Sequence, residues 1–319
     1  MVEIQQIHLL NFTSDIQKVV KLDDSSIAIC LGIDLFLCSP FTQNRPLGGM
    51  HNKNFKNSHP IMGVCSMPIS SELTHQFFQS NYRHPFKIQT GIVLFDTDNN
   101  FTVIDCPRDL VITKFKYMNS NDVVDICSSP DTPCQLAILT NSELQIIKID
   151  LNQYTVLKEI PIEGKTISPF LGGFLIDTHH SLRFLQSESN QLKQYAPHVP
   201  FADFRIDNDR VVIVTPSSTD KLRIKVVGGG SYQISVNCQD LIWDVAGGLI
   251  FVLNDPIHIT ISSINDVSKN CLVTLSEKLP KTIDMFAGVD RYKKNVIIIL
   301  FSLRNATTVS VPIHLFDSC

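Results

Sequence analysis

Short apolar runs separated by polar turns recur along the 319-residue chain, and residues 123–162 show this pattern most clearly. Four apolar runs lie in this stretch, at residues 123–127, 135–139, 144–149 and 154–160. In the third run, Leu144 and Ile146 fall on one face of an extended chain, and Ile147 and Ile149 fall on the other. Because both faces are mostly apolar, the pattern indicates a sheet that is covered on two sides. Runs of this length between short turns predict consecutive antiparallel strands.

The same set of four strands repeats along the chain with a period near forty residues. Counted by the second strand of each set, the repeats begin at residues 26, 91, 135, 173, 210, 249 and 296. Four strands per forty residues is the pattern of a β-propeller blade. The sequence therefore predicts an all-β, seven-bladed β-propeller of four-stranded antiparallel blades that occupies residues 1–319 as a single domain. The predicted blades are residues 11–60, 61–120, 121–163, 164–198, 199–238, 239–278 and 279–319 plus 1–10.

The last repeat contains only three apolar runs, and the N-terminal run at residues 2–10 has no place in the first repeat. We expect this N-terminal strand to complete the last blade and so to close the propeller. Pairing of this kind removes an exposed edge strand at the seam between the two ends of the chain.

Two insertions, at residues 41–60 and 68–89, interrupt the repeat. The first has the composition of a loop and is expected to contain the outer strand of the first blade. In the second, Ser70 or Ser71 is a candidate cap for a helix through Leu73, Phe77 and Phe78. Long loops in compact domains often carry function, so both insertions and the loop at residues 288–295 are candidate binding surfaces. The candidate partner-binding residues are Arg45, His51, Lys53, Phe55, Phe77, Phe78, Tyr82, Arg291, Lys293 and Lys294.

The repeated strand sets resemble the WD40-type superfamily in a degenerate form. Repeats of that superfamily usually end their third strand with Trp-Asp, whereas Trp243-Asp244 lies here in a predicted inner strand. Two of the predicted third strands end instead in Asp105 and Asp150. The resemblance implies a propeller and does not point to a named WD40 family.

Composition and charge narrow the classes of function. A net charge of −4 offers no general attraction to nucleic acid or anionic membranes. The longest apolar run, residues 296–303, is too short to cross a bilayer, and the N-terminus lacks the pattern of a signal peptide. Several of the nine cysteines lie inside apolar runs, where a thiol behaves as a small hydrophobe. We expect a reducing intracellular location, cytoplasmic or nuclear.

Four predicted inner strands each carry one acidic residue: Asp125, Asp203, Asp244 and Asp284. Together they would form an acidic ring in the central channel, able to hold a cation or polarise a water molecule. The sequence shows no Arg, His or Tyr at matching register. The favoured interpretation is therefore that these residues accept turn hydrogen bonds at strand ends, or that they are hydrated by water in the channel. The cluster His51, His59, Cys65, His75 and His84 lacks the close spacing of a zinc site. No metal site and no cofactor are predicted.

A basic stripe formed by Lys221, Arg223 and Lys225 alternates with apolar residues in one predicted strand. Lys114 and Lys116 flank Phe115 in the same way. These stripes lack the interleaved aromatic residues of single-strand binders, so solvated outer faces are the favoured interpretation.

The predicted function is a non-enzymatic protein–protein interaction scaffold that forms a subunit or a domain of a multiprotein complex. Its partners would be other protein subunits. One alternative is a nucleic-acid-associated propeller in a ribosome-assembly or transcription complex. A second alternative is a metal-dependent propeller enzyme that uses an acidic central channel.

Overall fold

A computed structural model gives the architecture of the chain. The structure describes residues 2–4, 6–22, 26–38, 53–81, 90–105, 108, 110–118, 122–129, 131–186, 189, 191–197, 202–218, 220–236, 240–266, 269–290 and 295–313. Most of these residues lie in β-strands, and one α-helix is present among them.

The N-terminal segment and the first two sheets occupy the first third of the chain. The segment forms β1 (Val2–Ile4) and β2 (Gln6–Asn11). Sheet 1 consists of β3 (Lys18–Lys21), β4 (Ile27–Leu31), β5 (Asp34–Cys38) and β6 (Lys53–Lys56). Sheet 2 consists of β7 (Ile61–Pro68), β8 (Thr90–Asp96), β9 (Asn100–Asp105) and β10 (Leu110–Lys116), with helix α1 (Ser71–Asn81) between its first two strands.

The next three sheets are regular meanders. Sheet 3 consists of β11 (Val123–Ser128), β12 (Gln135–Thr140), β13 (Glu143–Asp150) and β14 (Gln153–Pro161). Sheet 4 consists of β15 (Thr166–Phe170), β16 (Gly173–Asp177), β17 (Ser181–Gln186) and β18 (Leu192–Pro197). Sheet 5 consists of β19 (Asp203–Asp207), β20 (Arg210–Ser218), β21 (Lys221–Val226) and β22 (Ser231–Ser235).

The last two sheets each take one strand from the N-terminal segment. Sheet 6 consists of β23 (Trp243–Ala246), β24 (Leu249–Asp255), β25 (His258–Ser263) and β26 (Asn270–Leu275), with β1 added parallel to β26. Sheet 7 consists of β27 (Thr282–Asp290), β28 (Asn295–Ser302) and β29 (Asn305–Pro312), with β2 antiparallel to β29.

Seven sheets in sequence order, each with four antiparallel strands and sheet 6 with β1 as a fifth, make the protein an all-β, seven-bladed β-propeller, as the sequence predicts. The second strands begin at residues 27, 90, 135, 173, 210, 249 and 295, each within one residue of its predicted start. Every residue of β4 and of β12 is buried, which explains their uninterrupted apolar runs. The outer strand β14, by contrast, is exposed along most of its length.

The N-terminal run does not act as one strand. Only β2 pairs with the last sheet, and β1 pairs with Val273, Thr274 and Leu275 of the sheet before it. The pairing of β2 with β29 gives sheet 7 its fourth strand. Closure of the propeller by this strand stays a prediction.

Both insertions contain the elements that their sequences predict. Strand β6 is the outer strand of sheet 1, while residues 39–52 lie outside the described residues. Helix α1 begins after Ser70, whose Oγ accepts a hydrogen bond from the Leu73 amide at 3.1 Å. Residues 82–89 also lie outside the description.

The chain divides into two compact units. Unit 1 comprises Met1–Ile29, Leu37–Asn52 and Val199–Cys319, and it contains sheets 5, 6 and 7. Unit 2 comprises Cys30–Phe36 and Lys53–His198, and it contains sheets 2, 3 and 4. In the described part of the chain, no helix is both long and apolar enough to cross a membrane.

Candidate functional site

Three of the four predicted inner-strand aspartates lie in unit 1 and belong to one charge cluster. Asp203 begins β19, Asp244 lies in β23 and Asp284 lies near the start of β27. Burial, the largest effect, and the nearby Asp203 carboxylate both raise the pKa of Asp284, against the opposing effect of Arg205. The first strands of these sheets pack on one another, which brings the three side chains into one electrostatic environment.

Arg205 lies at the centre of this cluster. Its Nη1 donates to Asp203 Oδ2 at 2.8 Å, and its Nε lies 3.9 Å from Asp244 Oδ1. Its guanidinium carbon lies 5.2 Å from the centre of the Trp243 ring, within the range of a cation–π contact. The Trp243 indole in turn donates to Asp203 Oδ2 at 3.0 Å. The guanidinium therefore connects two carboxylates and an aromatic ring on two neighbouring sheets.

Asp244 is the most deeply buried acid of the cluster. Its Oδ2 accepts a hydrogen bond from the Ala287 amide of β27 at 2.8 Å. Burial raises its pKa from 3.8 to about 6, although the Ala287 amide, Lys21 and Arg205 all favour the ionised form. Lys21 also lies over the Phe286 ring, with Nζ 5.2 Å from the ring centre. A carboxyl group with this pKa changes charge around pH 6.

The fourth predicted inner-strand aspartate, Asp125, lies in unit 2. Its Oδ2 accepts a hydrogen bond from the Ile167 amide at 3.1 Å and so links sheet 3 to sheet 4. Asp244 makes the same kind of bond from sheet 6 to sheet 7. Both side chains therefore accept a backbone amide of the neighbouring sheet, rather than an amide of a turn at their own strand end.

The surroundings of the cluster do not favour a divalent cation. Arg205 and Lys21 place two positive charges beside the carboxylates. The Arg205 guanidinium is also hydrogen-bonded to the Asp203 carboxylate, where a cation would have to bind. Within the described ranges, no three His, Cys, Asp or Glu side chains are grouped as metal ligands. The cluster can hold and exchange a proton, and it can hold neighbouring sheets together.

Sequence reasoning missed Arg205 and Lys21. Arg205 follows Asp203 by two residues, so both side chains fall on the same face of β19. This i, i+2 spacing is visible in the sequence, and it identifies Arg205 as a basic residue on the same face as Asp203. Lys21 comes from sheet 1, more than two hundred residues away, and no local pattern links it to Asp244.

The candidate partner-binding residues differ in exposure, and most of them lie outside the described residues. Phe77 and Phe78 are 5% and 3% exposed, so their assignment to a binding surface is corrected. Both rings pack in the core beneath α1 because the helix turns its apolar side inward. Phe55 is half-buried in β6. Arg45, His51, Tyr82, Arg291, Lys293 and Lys294 lie outside the described residues, as does the side chain of Lys53.

The basic stripe has the predicted geometry. Lys221, Arg223 and Lys225 are exposed along β21, while Leu222 and Ile224 point into the core. Lys114 and Lys116 are likewise exposed on either side of the buried Phe115. The glycine run that follows β21 forms a hairpin turn, closed by the Val226 amide on the Gly230 carbonyl at 3.1 Å.

No protein-family model matches the sequence, and a comparison with curated proteins likewise finds no match. The resemblance to WD40-type repeats therefore stays at the level of the fold.

Proposed function

We propose that this protein is a non-enzymatic protein–protein interaction scaffold that forms a subunit or a domain of a multiprotein complex. Propellers commonly serve as rigid platforms for protein binding, but the fold alone does not define a site. The observation that carries the proposal is a set of apolar side chains displayed at β-bulges.

In unit 2, the first strands of sheets 2 and 3 both bulge one residue after they begin. The register of β7 against β8 shifts between Ile61 and Gly63, and that of β11 against β12 shifts between Val123 and Asp125. The extra residues are Met62 and Val124, which are 54% and 36% exposed. Bulges redirect side chains away from the sheet, so two apolar groups face solvent from rigid strands. In unit 1, Ile283 occupies the equivalent bulge of β27 and is also exposed.

Met118 is a further exposed apolar residue of unit 2. It follows β10 and is 77% exposed. The Tyr117 amide bonds to the Asn99 carbonyl, which places the end of β10 at the same end of sheet 2 as the start of β7. Met62, Met118 and Val124 are hereafter the bulge surface. Asp98 in the turn between β8 and β9, Lys116 at the end of β10 and Asp122 just before β11 are also exposed.

An apolar centre with a charged rim is the usual composition of a protein-binding surface. Met62 and Val124 lie on strands, which hold these two side chains in position before a partner binds and so favour recognition. The buried thiols of Cys127 and Cys134 support an intracellular location, which we include in the proposal.

Removing the bulge surface is expected to abolish partner capture without affecting the fold. In the variant Met62→Ser, Met118→Ser, Val124→Thr, all three changes fall on exposed side chains. Burial of such groups contributes about 1.5–3 kcal/mol each, so recovery of partners should fall more than tenfold. The measurement is quantitative affinity purification with mass spectrometry, together with a melting curve.

The matched control is Val111→Ser, Leu171→Ser, which removes exposed apolar side chains elsewhere in unit 2. This variant should recover partners as the unmodified protein does. Equal recovery by the bulge-surface variant would contradict the proposal.

Nucleic-acid binding is the second candidate, because the basic stripe on β21 is exposed as predicted. Under the scaffold proposal, RNA and DNA binding should be weak and unaffected by Lys221→Ala, Arg223→Ala, Lys225→Ala. Tight binding that falls steeply with salt and is lost in this variant would favour the nucleic-acid function instead.

A further inference from the structure

Asp244 joins three neighbouring sheets of unit 1. It belongs to β23 in sheet 6, accepts the Ala287 amide of sheet 7 at 2.8 Å and lies 3.9 Å from Arg205 Nε of sheet 5. Its side chain is only 10% exposed. The charge state of one buried carboxyl group therefore bears on the contact among three sheets.

The charged groups that face Asp244 come from every sheet around it. Lys21 of β3 and Arg205 of β19 favour its ionised form. Asp203 of β19 shares Arg205 through a 2.8 Å hydrogen bond, and Asp284 of β27 also interacts with Arg205. Two cations are thus distributed over three carboxyl groups. When Asp244 is protonated, its attraction for Arg205 weakens, and the guanidinium interacts mainly with the Asp203 carboxylate.

We propose that Asp244 is a proton-operated latch that tightens the contact among sheets 5, 6 and 7 when it is protonated and loosens it when it ionises. The neutral group lies in its buried site without the cost of desolvating a charge. The Ala287 amide keeps its acceptor in either state. Ionisation places an incompletely compensated charge between the sheets and draws the Arg205 guanidinium toward β23.

The direction follows from proton linkage. The pKa of Asp244 rises from 3.8 to about 6 in the folded protein, so the folded protein binds the proton more tightly than the unfolded chain does. The contribution of Asp244 to stability is therefore largest at low pH and is lost as pH rises toward 6. The latch is closed in mildly acidic conditions and open near neutral pH.

Trp243 provides a built-in reporter of this change, because it is the only tryptophan in the sequence. Its ring lies 5.2 Å from the Arg205 guanidinium carbon, and its indole bonds to Asp203. Movement of Arg205 changes the electric field at the ring and with it the emission of the indole.

The experiment is a fluorescence titration of the full chain between pH 4.5 and 8, a range that includes the Asp244 pKa of about 6. Trp243 emission should change with a midpoint near pH 6. The variant Asp244→Asn, which keeps an acceptor for Ala287, should show no transition in this range. The matched control Asp284→Asn removes a neighbouring acid of the same cluster and should keep the transition. A transition that persists in Asp244→Asn, or disappears only in Asp284→Asn, overturns the proposal.

A second variant keeps the test decisive should Asp244→Asn fail to fold. In Lys21→Gln the Asp244 carboxylate loses a stabilising cation while Arg205 and Trp243 stay in place, so the midpoint should move to higher pH. Amide hydrogen exchange at Ala287 in the unmodified protein should also be faster at pH 7.5 than at pH 5, after correction for intrinsic exchange. An unmoved midpoint, or equal protection of Ala287 at both pH values, contradicts the latch.

Discussion

Replacing Gly173 with alanine is expected to lower the free energy of unfolding strongly, because the added Cβ atom would overlap the backbone of β17. A Cβ atom at this position meets the Leu185 carbonyl oxygen at less than contact distance, with Gln186 Cα at 2.9 Å and Leu185 C at 3.1 Å. All three atoms are backbone atoms of β17, which pairs with β16 through Gly173 and Gln186. They can move only if the hydrogen-bond ladder between the two strands opens.

The expected cost is at the upper end of the range of about 1–3 kcal/mol for overpacked cores, or above it. Natural domains have a stability of only about 5–15 kcal/mol, so the variant should unfold at a much lower denaturant concentration. Gly230→Ala is the matched control, because no atom lies within 4 Å of its Cβ position. Its midpoint should stay close to that of the unmodified protein. Equal midpoints for the two variants would show that β16 and β17 are not paired this closely.

The strand order was predictable because the second strand of each sheet is buried on both faces. Such strands appear in the sequence as uninterrupted apolar runs, as in β12 and β28. Turn residues then mark their ends, for example Asn208, which adopts a positive φ of 55° at the turn between β19 and β20. Local patterning and local turn chemistry therefore specify the blades.

The sites were less predictable because they depend on contacts between sheets. Phe77 and Phe78 lie in a polar insertion, and the sequence does not show that α1 packs them into the core. The division of the N-terminal run into β1 and β2 is equally hidden, since both parts are short apolar runs. The bulges at Met62 and Val124 arise from register, which is a property of two paired strands.

Asp207 is expected to be the side chain on which the contact between sheets 5 and 6 depends most. It is buried at the end of β19, and its two oxygens accept the amides of Gly247 and Gly248 at 3.0 and 2.7 Å. Both glycines have positive φ, 60° and 82°, so the turn presents two adjacent amides to one carboxylate. A Cβ atom on Gly247 would also lie 2.6 Å from Val289 Cγ2, which fixes the identity of that residue.

Asp207→Ala should lower the free energy of unfolding by about 2–3 kcal/mol, because a hydrogen bond to a charged group contributes roughly 1.5–3 kcal/mol. The total is less than two full bonds because Gly247 is exposed and water replaces part of what is lost. The measurement is denaturant unfolding followed by the fluorescence of Trp243, which lies on β23, the strand that leads into this turn. Asp209→Ala is the matched control, since its exposed carboxylate lies 3.9 Å from Arg210 and surface pairs contribute little. If both variants unfold at the same midpoint, Asp207 does not connect the two sheets. A selective loss in Asp207→Ala would show that one carboxylate holds the turn of sheet 6 against the end of β19.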